Sequence, residues 1–413
     1  MLDNFYTRPW TRRDLRSGAI GPVIDDFVAH LVAQRYSYSS IRKSIRFVAC
    51  LGRWLKEEKI ELALVDEAVL DRFAAELPRC RYVRANRGAF AGLRPAIGLL
   101  LSWLRIRGVV ASRAPSAPPL DPLITAFEAW IRRHRGIAVV TLKFSYRPFL
   151  VRFLASAGRT AEKYTASAVR RFILEQAEQH SRRSVQTGTS AIRMFLRYLA
   201  AEGRCLPELV GAVPTVARWR KDVLPRFISP DDVERILSGC DSSDRVGCRD
   251  RAVLLLLARL GLRAGDVRGL RLGDLDWGGA RVRVCGKGRR EGALPLPQDV
   301  GDALLAYVLG ARPEVGDDHV FITTQAPYHA LGASAVTTIA VRAAARANAA
   351  LPRGGAHVLR HSLATSLLAG GMSLPGIGAV LRHQNSDTTL IYARVDPGLL
   401  ITVARPWPIP EGS

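Results

Sequence analysis

Along roughly the first half of the chain, apolar residues recur three and four positions apart while Arg and Lys fill the opposite face, the period of amphipathic helices. One such run, Ile45, Phe47, Leu51, Trp54 and Leu55, matches Phe144, Tyr146, Leu150, Phe153 and Leu154 at a constant offset. A second, Leu99-Leu100 with Trp103-Leu104 and Gly108, matches Met194-Phe195 with Tyr198-Leu199 and Gly203. The repetition predicts two small helical bundles in tandem, each with a basic side. They are divided by the Pro-rich stretch from Ser112 to Pro122, and a second joint runs from Val213 through Arg218, Arg220 and Lys221 to Pro225.

Beyond about Phe227 the pattern changes. Ser229-Pro230-Asp231-Asp232 has the capping residue and first-turn proline of a helix start, and Cys248 to Leu262 is so apolar that it predicts a buried helix. Arg281-Val-Arg-Val-Cys285 alternates as a strand, with Ala293-Leu-Pro-Leu296 as its weaker returning partner. Helical spacing resumes at Val300–Leu309, Ala333–Arg346, Val358–Leu368 and Leu374–Leu381. The order of elements is that of an α+β segment in which helices dominate.

Composition narrows the partners. Sixty Lys and Arg against 37 Asp and Glu give a formal charge of +23, spread through every region, which predicts a polyanionic partner. An arginine-rich coding bias would inflate the same count, so charge alone names no reaction. The six cysteines, Cys50, Cys80, Cys205, Cys240, Cys248 and Cys285, form no CxxC pair and write neither a zinc site nor a disulfide framework. No apolar run is long enough for a membrane span, and the amino terminus lacks a secretion signal, so a cytoplasmic, nucleoid-associated protein is expected.

Four short stretches carry the candidate chemistry: Gly261-Leu-Arg-Ala-Gly-Asp266, Gly286-Lys-Gly288, His357-Val-Leu-Arg-His361, and Leu381-Arg-His383 followed by Thr388-Thr-Leu-Ile-Tyr392. Singly each is weak. The glycines around Lys287 are no dinucleotide fingerprint, since a strand pattern rather than a helix follows. His357 and Arg360, three apart on a helix, would share a face in a merely structural pair too. Their order and spacing carry the information.

In that order they resemble the tyrosine recombinase (phage-type integrase) family: an Arg in a GLR turn, a Lys on a β-hairpin, HxxR, a His or Trp, then a Tyr. The resemblance covers about residues 227 to 396, and the segment 122 to 212 looks like the family's core-binding domain. It implies a mainly helical α+β fold, with a catalytic domain bearing a small sheet behind two helical, SAM-like domains. The division expected is an extra arm-like DNA-binding domain at 1–112, a linker at 113–122, a core-binding domain at 123–212, a linker at 213–226, a catalytic domain at 227–396 and a tail at 397–413.

The resemblance assigns roles that chemistry can check. Arg263 and Arg360 would neutralise the non-bridging oxygens of a phosphodiester, a task suited to always-charged guanidinium forks. Lys287 would protonate the leaving 5′-oxygen, since an ammonium can lend a proton. His357 and His383 would hydrogen-bond the phosphate, with His357 the better acceptor for the nucleophile's proton. Asp266 would orient Arg263 or a neighbouring histidine. Tyr392 would be the nucleophile, conserving bond energy in a 3′-phosphotyrosine, so that neither ATP, metal nor any cofactor is needed. Tyr307 and Tyr328 sit in no matching context, and Ser386 and Asp387 are candidate caps for the helix bearing Tyr392.

One departure is visible: many members have Gly before the second histidine, where this chain has Arg382. The implied partners are double-stranded DNA, three further copies in a tetramer on DNA, and related recombinases. The tail, with Trp407 between prolines, is expected to dock on a neighbouring protomer. Integration, excision or transposition of a mobile element fits the extra domain better than routine chromosome-dimer resolution. The competing readings are a type IB topoisomerase, with closely similar active-site residues, and a DNA-binding partner without independent activity.

Overall fold

The computed structural model describes residues 1–76, 93–111, 120–215, 226–241, 243–285, 291–352, 354–383, 385 and 388–393. Two compact units result: Arg113–Asp222, and Met1–Ser112 together with Val223–Ser413. Three main apolar cores lie within them, one in the amino-terminal bundle, one in the middle bundle and one in the carboxy-terminal region. Within the unit that joins Met1–Ser112 to Val223–Ser413, Arg35 of the amino-terminal bundle donates from Nη1 to the Glu314 carbonyl, 2.8 Å away. The expected linkers fall largely outside the described residues, and the tail wholly so. Among the described residues no helix is long and apolar enough to cross a membrane.

The amino-terminal bundle contains α1 (Pro9–Leu15), α2 (Gly21–Ala33), α3 (Tyr38–Glu57), α4 (Glu67–Glu76) and α5 (Leu93–Ile106). The middle bundle contains α6 (Pro122–Arg135), the single turn α7 (Val139–Thr141), α8 (Arg147–Ala157), α9 (Ala166–Gln179) and α10 (Arg182–Ala201). Ser37 and Ser181 cap α3 and α10 by accepting from the amides of Ser40 and Ser184. The second repeat match extends to the chain reversal, because Gly108 and Gly203 both take left-handed φ, of 70° and 68°. The first match is partial. Ile45 is fully buried in α3, whereas its counterpart Phe144 is 69% exposed. A π-turn over Leu142–Tyr146 adds a residue before α8 and rotates Phe144 off the core, while Leu150, Phe153 and Leu154 stay inside.

The carboxy-terminal region is built around α12 (Arg245–Ala258), which is buried without interruption from Ala252 to Ala258. It begins earlier than its apolar run, because Asp244 caps it by accepting from the Val246 and Gly247 amides. It ends earlier too, because the chain turns at Gly261. Around it lie α11 (Pro230–Ser238), α13 (Ala264–Gly269), α14 (Gln298–Ala306), α15 (Ala335–Arg346) and α16 (Ala356–Ala369). β1 (Leu275–Asp276), β2 (Arg281–Cys285) and β3 (Glu291–Pro295) form an antiparallel sheet in that order. Leu275 faces Val282, Val282 faces Leu294 and Cys285 faces Glu291, with Val282 and Val284 directed into the core. A small separate cluster of Ala364, Leu368, Ile377, Leu381 and Tyr392 joins α16, α17 (Leu374–Val380) and α18 (Leu390–Ala393).

Candidate active site

Gly261 allows the site to close. Its φ of 56° is left-handed, and a Cβ there would lie 2.7 Å from Leu381 Cδ2 and 3.0 Å from Leu363 Cδ2, so only glycine lets the turn press against α16 and the end of α17. Two residues on, Arg263 serves as the N-cap of α13. Arg360, buried on α16, donates to the main-chain carbonyls of Gly261 and Leu381 and so ties the turn to the far end of α17. Arg263 donates from Nη2 to the Arg382 carbonyl at 3.3 Å and remains 31% exposed. Both guanidiniums are thus mounted on consecutive carbonyls, those of residues 381 and 382.

His357, Arg360 and His361 share one face of α16 at spacings of three and four. The Tyr392 hydroxyl lies 2.7 Å from Nδ1 of His361, and its ring lies parallel to that of His383 with centroids 6.4 Å apart. His383 Nδ1 is 2.8 Å from the Thr389 hydroxyl, which ties the second histidine to the segment leading into α18. Asp266 accepts from the Arg263 amide at 3.3 Å and from Arg382 Nη2 at 2.7 Å, while the nearest Arg263 guanidinium nitrogen is 3.9 Å away. Its short side-chain contact is therefore with Arg382, and among the described residues no histidine is one of its partners.

Electrostatics follow from this packing. Burial pushes the Tyr392 phenol up to about 12, partly offset by the Arg360 charge, so the resting hydroxyl is protonated. Burial lowers Arg360 to about 10, reinforced by Arg263, an arrangement that invites an anion. His383 falls to about 4 through burial and the charges of Arg360 and Arg263. His357 and His361 also lie below the ordinary 6.5, through burial first, then Arg360 and Arg263 for His357, and His357 and Arg360 for His361. All three imidazoles are neutral at pH 7 and can accept a proton.

Of the residues singled out from sequence, Arg263, Asp266, His357, Arg360, His383 and Tyr392 gather in this one place. Lys287, Ser386 and Asp387 lie outside the described residues. Tyr307 is buried and accepts from the Ile322 amide at 3.2 Å, far from this chemistry in kind. His357, expected to take the nucleophile's proton, is not the imidazole on the phenol; His361 is. The signal was available, since His361 follows Arg360 and stands one helical turn beyond His357. Thr389 and the carbonyls of Gly261, Leu381 and Arg382 were not foreseen, and main-chain acceptors leave no mark in a sequence.

Residues 226–398 match the model of the phage integrase family. Over 402 residues the chain is 36% identical to a Sinorhizobium fredii protein named as an integrase/recombinase, y4rA, with 95% of each chain covered. It is 31% identical over 282 residues to the tyrosine recombinase XerC of Azotobacter vinelandii, covering 66% of this chain and 91% of that protein. Among solved structures, the XerH site-specific recombinase bound to palindromic difH substrate superposes with a TM-score of 0.53 at 17% identity, covering 87% of this chain and 95% of the other. That last likeness is one of fold.

Proposed function

Because the chain belongs to the phage integrase family of tyrosine recombinases, and is therefore a site-specific recombinase that cleaves and rejoins DNA, we propose that Tyr392 is the nucleophile and His361 its proton acceptor. The phenol oxygen attacks the scissile phosphorus, a 3′-phosphotyrosine forms, and the 5′-oxygen leaves. The phenol proton passes to Nδ1 of His361, and Lys287 supplies the proton that the leaving oxygen takes up. Arg263 and Arg360 neutralise the non-bridging oxygens, with His357 and His383 hydrogen-bonding the same phosphate. Rejoining is the reverse, with a 5′-hydroxyl attacking the phosphotyrosine.

The observation that supports this most is the 2.7 Å approach of the Tyr392 hydroxyl to a neutral imidazole on the helix turn that also carries Arg360. The decisive experiment uses nicked suicide duplexes made from DNA flanking the coding sequence. Wild-type protein is expected to give a covalent adduct on a denaturing gel, and Tyr392→Phe to bind the same duplexes without one. Binding with no adduct from the wild type would leave a partner role instead. Relaxation of plasmids lacking any site would leave a topoisomerase.

The biological setting follows the same reading. The XerC relative uses nearly its full length to match two-thirds of this chain, whereas the Sinorhizobium relative matches end to end. The segment 1–112 is read as an arm-like domain, an additional DNA contact that suits integration or transposition of a mobile element. Assembly is a tetramer on two sites, with the tail 397–413 docking on a neighbour. Deleting residues 1–112 should weaken binding to the full site in a gel-shift titration, and unchanged binding would refute the arm role.

A further inference from the structure

Resting on the assignment of Arg263 as a phosphate-binding group, we propose that Arg382 is a positioning residue: it engages the Asp266 carboxylate and thereby keeps that carboxylate from drawing the Arg263 fork away from DNA. Residue 382 has a φ of 54°, a left-handed conformation that glycine adopts freely and arginine does not. Placing an arginine there means its side chain must return something.

What it returns is a shielded ion pair. Arg382 Nη2 lies 2.7 Å from Asp266 Oδ2, with the two side chains only 17% and 8% exposed, so salt screens the pair weakly. The stem also runs beside the sheet, since a Cβ on Gly292 of β3 would come 3.9 Å from Arg382 Cδ. One side chain therefore joins α13 to the loop at 381–383 and passes beside β3. That loop supplies the Leu381 and Arg382 carbonyls that hold Arg360 and Arg263.

Asp266 has two cations to choose between. Arg382 sits at hydrogen-bonding distance, and Arg263 Nη1 waits at 3.9 Å from the same oxygen. Removing Arg382 leaves a largely buried carboxylate with one remaining guanidinium in reach, and a buried charge without a partner is costly. Asp266 then draws Arg263 inward, away from the exposed side where a phosphodiester must lie.

The test measures single-turnover adduct formation at saturating protein, duplex affinity and thermal stability for wild type, Arg382→Gly, Arg382→Lys and the double variant Arg382→Gly with Asp266→Asn. The glycine variant relaxes the backbone and should melt no lower than wild type by more than a few degrees. Its cleavage rate should fall roughly tenfold, the scale expected for a displaced catalytic group, with affinity within about twofold. The lysine variant, which keeps a cation, should lie between. Neutralising Asp266 in the double variant should recover most of the lost rate, which a purely structural defect would not. A glycine variant as fast as wild type, or a double variant slower than the single, overturns the inference. Absence of an adduct from wild type overturns the reading of Tyr392 and this inference with it.

Discussion

The two halves of the site are mounted differently. The anion-binding half is wired into the main core: Arg360 spans two carbonyls from distant turns, and Arg263 rests on a third. The half that carries Tyr392, the proposed nucleophile, stands on a four-residue helix packed in a cluster of its own, with one short hydrogen bond to α16 through His361. A receptor for a dianionic transition state gains from being fixed before the reaction begins. A nucleophile that must be delivered to phosphorus and later withdrawn gains from a lighter attachment. The contrast predicts that damage to the first half costs stability and chemistry together, and damage to the second costs chemistry alone.

Arg360→Ala should break the contrast most severely. It removes a proposed phosphate ligand and leaves two inward carbonyls unsatisfied, so cleavage should fall roughly 1,000-fold, and urea melts should show a loss of about 3 kcal/mol. Gly261→Ala comes next: the left-handed φ and the overlap with Leu381 should lower stability by about 2 kcal/mol, with cleavage down roughly 100-fold as Arg263 shifts. His361→Asn samples the other half and should slow adduct formation by about 10- to 100-fold while the melting curve stays put. A parallel fall in stability would show that the nucleophile's helix is as firmly built in as the arginines.

The smallest effect is one of pH. His357, His361 and His383 are all held below 6.5, so the unfolded chain binds protons that the folded one refuses. Their contribution is fully present above pH 6.5 and is lost as the pH falls from there toward the His383 value of about 4. Between pH 7.5 and 5 the loss should be on the order of 1 kcal/mol, readable as a lower melting temperature. Cleavage should decline on further acidification, below the ordinary imidazole range, once folded His361 takes a proton and stops accepting.

Much of this arrangement was legible in the sequence because it is built from side chains at fixed spacings. The GLR turn, the HxxR pair, the second histidine and the tyrosine converge as their order implied, and the strand at Arg281–Cys285 follows from its alternation. The misses have physical causes. Phe144 matches Ile45 in pattern but not in burial, because a π-turn shifts the helical phase and no spacing rule reports an added residue. Arg382 reads as a mere exception until its left-handed backbone and its hold on Asp266 are seen together.

The covered state of Tyr392 has a consequence for the host genome. Every chromosome offers millions of ordinary backbone linkages, and a wandering monomer collides with them constantly. A phenol on a residue only 1% exposed, and held protonated up to about pH 12, is a poor attacker of any of them. With Tyr392 as the proposed nucleophile, concealment works as a safety catch: the blade rests folded in its handle.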